Sequence, residues 1–321
     1  VIEQAVIMKK HSLLLHPSIA LGFVGLLSAE EGGAGRYVPG NAATLIDLPP
    51  TKAGWVFESI YLHYDGDASA SRSFSNAGLV TAGLDATSDA FILGGLYTFE
   101  TPVLESHFSM GAFFPYMWMD VTADVVAGGT AGTRTDAADG IGDITLIPAM
   151  MAWKCDSWQF SALLPIYAPT GEYNLGTLAN VGRNYWTFDP TLQVSYNNAK
   201  TGFNAAIFTG ITLNTENDDT DYQSGSAFHI DASVQQLLPL GPGFVSVGFN
   251  AFYYEQIEGD SGSGAKLGGF EGRTAGIGPA LGYILPVGEN TLVAEARWLP
   301  ELDTKRRLEG DFFWLKLVYQ F

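Results

Sequence analysis

Three features of this chain could carry chemistry of their own. The string Gly259-Asp260-Ser261-Gly262-Ser263-Gly264 sets serines among glycines, and a nucleophilic serine needs a base beside it. Histidine is scarce. Beyond residue 29 only His63, His107 and His229 are present, and no histidine motif accompanies the serines. Asp218, Asp219 and Asp221 cluster the oxygens that hard cations favour, yet no loop has the spacing of a calcium hand. Cys155 is the only cysteine, which excludes an intrachain disulfide and a cysteine-based zinc cage. The residues therefore predict no catalytic group, no metal and no cofactor, and attention passes to the elements that hold the remaining polar side chains.

The chain has 321 residues and a formal net charge of −18; it is 47% hydrophobic and only 16% charged. A soluble domain usually carries about 25% charged residues, and an acidic disordered chain lacks the 20 Phe, 14 Tyr and 7 Trp found here. The acidic balance also argues against nucleic acid as a partner, because no basic excess exists to displace its counterions. Abundant Gly with 13% aromatics fits strands, turns and interface-anchored rings.

Met8-Lys9-Lys10-His11 precedes an apolar run from Leu13 to Leu27 that ends in Ser28-Ala29 and turns acidic at Glu30-Glu31. The pattern predicts a secretory signal over residues 1–29, cut after Ala29, with residues 1–7 as upstream leader. The run has 15 residues and includes His16 and Pro17, too short for a membrane helix of about 20. No later stretch reaches that length.

Periodicity decides among the exported classes. Counting back from Phe321, Tyr319, Leu317, Leu315 and Phe313 share one strand face, with Gln320, Val318, Lys316 and Trp314 on the other. Trp186, Phe188, Pro190, Leu192, Val194 and Tyr196 likewise oppose Thr187, Asp189, Thr191, Gln193 and Ser195. Lipid outside and a polar lumen inside reward both faces, although alternation alone also suits a β-sandwich. Loop lengths separate the two. Twelve strand-like runs lie near 53–64, 89–100, 106–118, 140–154, 156–168, 183–197, 200–213, 225–238, 243–256, 270–286, 290–299 and 310–321. Long connections at 65–88, 119–139, 169–182, 214–224, 257–269 and 300–309 alternate with short turns, as in outer-membrane barrels. The expectation is an all-β, transmembrane, antiparallel up-and-down β-barrel of twelve strands over 53–321, in the bacterial outer membrane and monomeric.

Parity then assigns the lumen. Glu58, Asp143, Asp189, Asp231, Glu295, Arg297 and His229 project inward with Phe208 and Phe252, a mixed lining rather than a uniform charge ring. Pro148, Pro165 and Pro190 interrupt strand-like runs and remove ladder donors, which predicts bulges or bends and, if a gap opens toward lipid, a lateral exit. Lys305-Arg306-Arg307 meets lipopolysaccharide phosphates or balances neighbouring acids.

The run Gly140-Ile141-Gly142-Asp143-Ile144-Thr145-Leu146-Ile147-Pro148, with Leu164-Pro165-Ile166-Tyr167-Ala168-Pro169-Thr170-Gly171-Glu172-Tyr173 and Gly182-Arg183-Asn184-Tyr185-Trp186-Thr187-Phe188-Asp189-Pro190, resembles the MetA-pathway phenol-degradation family of outer-membrane channels. That resemblance implies a twelve-stranded barrel, an amino-terminal segment folded into the lumen, and uptake of small hydrophobic molecules. The segment would be residues 30–52, rich in Gly and Pro and ended by Pro49-Pro50. Within it Arg36 and Asn41 are expected to form the constriction through polar contacts to Asp143, Asp189 or Asp231. The expected function is a diffusion channel for small hydrophobic or weakly polar molecules, with outer-membrane lipid and lipopolysaccharide as surroundings. A structural or adhesive barrel is the alternative. So, more remotely, is a phospholipase-like enzyme, which needs a serine and a histidine together on the lipid side, whereas His107 and His229 face the lumen.

Overall fold

The computed structural model describes residues 35–127, 130–269 and 271–321; the expected signal and residues 30–34 lie outside the described residues. Twelve antiparallel strands follow one another around a closed wall. They are β1 (Gly54–Asn76), β2 (Leu79–Thr98), β3 (His107–Ala127), β4 in two pieces (Thr130–Ile141 and Thr145–Cys155), β5 in two pieces (Trp158–Leu163 and Ile166–Tyr167), and β6 in two pieces (Thr187–Phe188 and Thr191–Asn198). The others are β7 (Phe203–Asn214), β8 (Ala227–Leu240), β9 (Gly243–Gln256), β10 (Arg273–Val287), β11 (Asn290–Lys305) and β12 (Glu309–Gln320). Each strand pairs with its sequence neighbours, and β1 pairs with β12 from Val56↔Gln320 to Asp67↔Glu309, which closes the barrel. Closure leaves no open edge to satisfy in lipid.

The two faces of β12 show what selects this architecture. Phe313, Leu315 and Leu317 are 38–47% exposed, whereas Trp314, Lys316 and Val318 on the opposite face are at most 2% exposed. Large apolar side chains outside and mixed ones inside invert a soluble protein and fit a lipid-facing wall. Aromatic rings cluster at the strand ends beside the short turns: Trp55 lies against Phe57, Trp158 against Tyr196 and Tyr319 against Phe321. Rings with one apolar and one polar end settle at such an interface.

Two expected long loops are strands instead. Residues 65–88 continue β1 and β2 to a tight turn at Ala77-Gly78, where both residues have positive φ. Residues 119–127 and 130–139 continue β3 and β4, with Thr122 bonded to Thr135 at 2.8 Å and Thr133 donating to Asp124 at 2.7 Å. Beyond the lipid, one face no longer has to be apolar. The ladder persists on Asp, Ser and Thr while the alternation that marks it fades. The connection expected at 300–309 likewise contracts to residues 306–308, because β11 runs on to Lys305.

The prolines act differently from one another. Opposite Pro148 the β3–β4 register shifts by one residue between Ser109↔Met150 and Gly111↔Ile147. The β4–β5 register also changes there, from Met150↔Leu163 to Leu146↔Ile166. Pro190 produces no such shift. Its strand stays in register with β5 on both sides of the gap, and with β7, so the ring only deletes a donor. Pro165 keeps register with β6 in the same way, accepting from the Asp189 N–H at 2.9 Å. A register break thus lies opposite Pro148, and on the β4 side also spans Pro165, whereas both neighbours of Pro190 stay in register.

Candidate functional site

Residues 35–50 have little strand propensity and form one short element, a 3-10 turn at Leu45–Asp47. Every residue of this stretch is buried. Its contacts follow the inward face of β8. The Tyr37 hydroxyl donates to Asp231 Oδ2, the Gly40 N–H to Asp231 Oδ1 at 2.6 Å, and Ser233 Oγ donates to the Ala43 carbonyl. The Leu45 N–H donates to Gln235 Oε1 at 2.7 Å, and Gln159 Nε2 on β5 reaches the Pro49 carbonyl at 2.8 Å. Gly40 has φ +79°, a backbone state glycine adopts without strain, and that turn aims its N–H at Asp231.

Below this point the segment is held by charge. Arg297 Nη2 donates to both Asp47 oxygens at 2.7 and 2.9 Å, and Arg297 Nε to Glu295 Oε1 at 2.6 Å. Lys316 Nζ donates to Asp47 Oδ1 at 2.6 Å and to the Asn41 carbonyl at 2.7 Å. Thr44 Oγ1 and Gln235 Nε2 complete Glu295, at 2.6 and 3.0 Å. The Ala43 and Thr44 N–H groups also reach Asp47 Oδ2. Full hydrogen bonding offsets the desolvation that a buried ion pair suffers, and removing one partner from such a group costs about 3–5 kcal/mol.

Above it, Arg36 pairs with Asp143 and donates from Nη2 to the Tyr185 carbonyl at 2.9 Å, with its guanidinium 5.5 and 5.2 Å from the ring centroids of Tyr167 and Tyr185. Asp143 sits in the gap between the two pieces of β4. It also accepts from the Gly171 and Arg183 N–H groups at 2.8 and 2.9 Å, so one carboxylate ties the segment to loop 168–186. Nearby, His229 Nε2 lies 2.8 Å from Asp189 Oδ1, and Tyr37 stacks on the imidazole at 3.7 Å and 15°.

Of the residues singled out by parity, Asp143, Asp189, Asp231, Glu295, Arg297, His229, Glu58, Phe208 and Phe252 are all buried. Phe208 and Phe252 flank Asp231 in direct cross-strand register. Neither oxygen of Glu58 has a hydrogen-bond partner among the described residues. Arg36 pairs with Asp143. Asn41 does not meet an acid: its carbonyl, not its amide, is engaged, because the Gly40 turn presents main chain to the wall. Sequence reasoning missed Tyr37, Asp47 and Lys316. Lys316 stood on the inward face of the last strand and parity could have found it; Asp47 and Tyr37 lie where no period exists.

The remaining candidates serve the outer loops. Asp219 accepts from Asn184 and Asp221 from Ser263, and no group of three His, Cys, Asp or Glu suited to a metal occurs among the described residues. Ser261 pairs through its backbone with Gln223, bridging two loops. Arg307 lies 4.5 Å over the Tyr254 ring.

The family model described as Putative MetA-pathway of phenol degradation matches residues 69–317. Comparison with curated proteins finds no match. Among solved structures, the chain resembles an outer membrane channel from Pseudomonas putida with a TM-score of 0.60 at 16% identity, over 84% of this chain and 96% of that one. Looser likenesses are the beta domain of the Bordetella autotransporter BrkA, at 0.44 and 11% identity over 84% and 100%, and a Pseudomonas aeruginosa FadL homologue, at 0.40 and 8% over 87% and 91%. The likeness to the Pseudomonas putida channel supports the outer-membrane barrel fold.

Proposed function

The chain belongs to that MetA-pathway family, and from this premise we propose that it is an outer-membrane diffusion channel taking up small hydrophobic or weakly polar molecules, with residues 35–50 as its constriction. The observation that carries the reading is the fastening of this segment at Asp143, Asp231, Gln235 and Arg297. A purely structural barrel has no need of a buried strand-less stretch that uses so many inward polar groups. The apolar share of the lining, with Phe113, Met117, Phe208, Phe252 and Trp314 all buried inside the wall, favours weakly polar solutes over sugars or a single ion class. Twelve strands make a lumen only moderately wider than the eight-stranded barrels that side chains fill, so a short segment suffices to narrow it.

The register break at Pro148 is the point where a solute could leave sideways into lipid, since one residue there is unpaired on the wall itself. The phospholipase-like alternative finds less support: His229 is engaged by Asp189 and Tyr37 on the inward side, away from lipid. Planar-bilayer recording together with liposome uptake of neutral aromatic and aliphatic probes tests the channel. Conductance or uptake is expected, and the absence of both from folded protein would favour the structural or adhesive barrel.

A further inference from the structure

Beneath the constriction, at the end of the barrel carrying the short turns, lies a cavity of about 300 Å³. It is lined by Lys154 at the end of β4, Gln159 on β5, Asn197 on β6, Asn204 on β7, Leu237 on β8 and Phe244 on β9. Register brings these side chains together. Lys154 pairs with Gln159, and Asn197 with Asn204, across adjacent strands. Lys154 shares the parity of the fully buried Ala152, so it belongs to the inward face and opens at the mouth. Among the described residues its ammonium has neither an ion-pair nor a hydrogen-bond partner. In a chain of net charge −18, a lysine at a lumen mouth with no acid bound to it is conspicuous.

We propose that this mouth is a binding site for a small organic monocarboxylate, with Lys154 meeting the carboxylate, the second amide protons of Asn197 and Asn204 supplying further hydrogen bonds beside those they give to Ser195 and Gly202, and Leu237 and Phe244 covering the apolar body. The proposal deepens the channel reading and rests on it, by naming the substrate class at the exit. Size fits, since a cavity of about 150 Å³ already holds benzene. Charge points to a monoanion: Lys154 is a single point charge, Lys200 stands at the rim, and Asp156 also lines the cavity and disfavours a dianion. No arginine fork lines it, so the bidentate grip used for phosphates is missing. The polar strip continues inward, because Gln193 lies on the same β6 face as Ser195 and Asn197. Gln193 is 4% exposed, and both atoms of its amide lack a partner among the described residues. A buried amide without a partner is costly, and a solute carrying a hydrogen-bonding head would satisfy it in passing.

The test titrates the full chain in detergent micelles with benzoate and with benzamide, read by saturation-transfer NMR. Benzoate should bind saturably and more tightly than benzamide. Lys154→Met should weaken it by about tenfold, the order expected for one charge-assisted hydrogen bond. Lys154→Arg, which keeps the charge, should retain most of the binding, and added salt should weaken it in the wild type. Equal binding of benzoate and benzamide, benzoate binding unchanged in Lys154→Met, or no saturable binding would each overturn the proposal. Liposome uptake of a neutral aromatic probe is measured on the same preparation. Uptake that persists without benzoate binding removes the carboxylate site alone, whereas loss of both from folded protein removes the channel reading as well.

Discussion

The guanidinium of Arg297 on β11 holds the carboxylate of Asp47, Nη2 lying 2.7 Å from Oδ2 and 2.9 Å from Oδ1, with both side chains fully buried. This pair joins the segment to the wall at a point where Lys316 and Glu295 also converge. Arg297→Met should destabilise the protein by about 3–5 kcal/mol, because it leaves Glu295 without its cation and Asp47 with only Lys316. Thermal unfolding with limited proteolysis of residues 35–50 checks this. The double variant Asp47→Leu with Arg297→Met should cost less than the two single losses added, and strict additivity would mean that the pair does not act as a unit.

Much of the wall was legible because lipid imposes a period of two: Phe313, Leu315 and Leu317 announce one face of β12, and parity then places Glu295, Arg297 and Asp231 inside. The same rule fails where lipid ends. Beyond about Asp65 the outward face meets water instead of lipid and carries Asp, Ser and Thr, so the continuation to Asn76 lacks the apolar outer period although Phe74, Leu84 and Val121 stay buried inside. It fails again in residues 35–50, whose partners are fixed by a glycine turn and a short 3-10 turn rather than by a repeat; Tyr37 and Asp47 are therefore visible only in three dimensions.

Cys155 lies exposed on the turn between β4 and β5, beside Asp156, and is the only cysteine. In intact cells a membrane-impermeant maleimide should leave it unmodified, and permeabilising the outer membrane should expose it. Labelling before permeabilisation would invert the orientation assigned to the short turns.

Pro190 keeps its strand in register with β7, where Ile211 N–H reaches the Pro190 carbonyl at 3.4 Å. Pro190→Val would place an N–H toward the Ile211 carbonyl and restore that pair. The gain is at most about 1 kcal/mol, partly offset by the freer unfolded chain. A small rise in melting temperature is expected from circular dichroism. If solute leaves beside this gap, uptake should slow in the same variant, and unchanged uptake would leave Pro148 as the only break with a lateral role.

Asp260, in the loop after β9, is buried against the Tyr222 hydroxyl, the Gln256 amide and the Gly225 N–H. Burial pushes its carboxyl above the ordinary carboxylate range, and these three hydrogen bonds only partly counter it. A carboxyl raised in the folded state contributes stability below its unfolded value, lost as pH rises through the folded one. Residues 257–269 should thus pack more firmly as pH falls from neutrality toward about 4. Hydrogen exchange, corrected for its intrinsic pH dependence, should show rising protection there, and Asp260→Asn should abolish the trend. Protection that falls on acidification would reverse the sign assigned to this group.

Deleting residues 35–48 while keeping every strand tests the constriction most directly, with single-channel conductance in planar bilayers as the readout. Folding of the variant is verified first by its heat-modifiable mobility. Water should fill the freed lumen, so conductance is expected to rise and ion selectivity to fall relative to the full chain. An unchanged conductance in a folded deletion variant would contradict the account, because the segment would then lie outside the path.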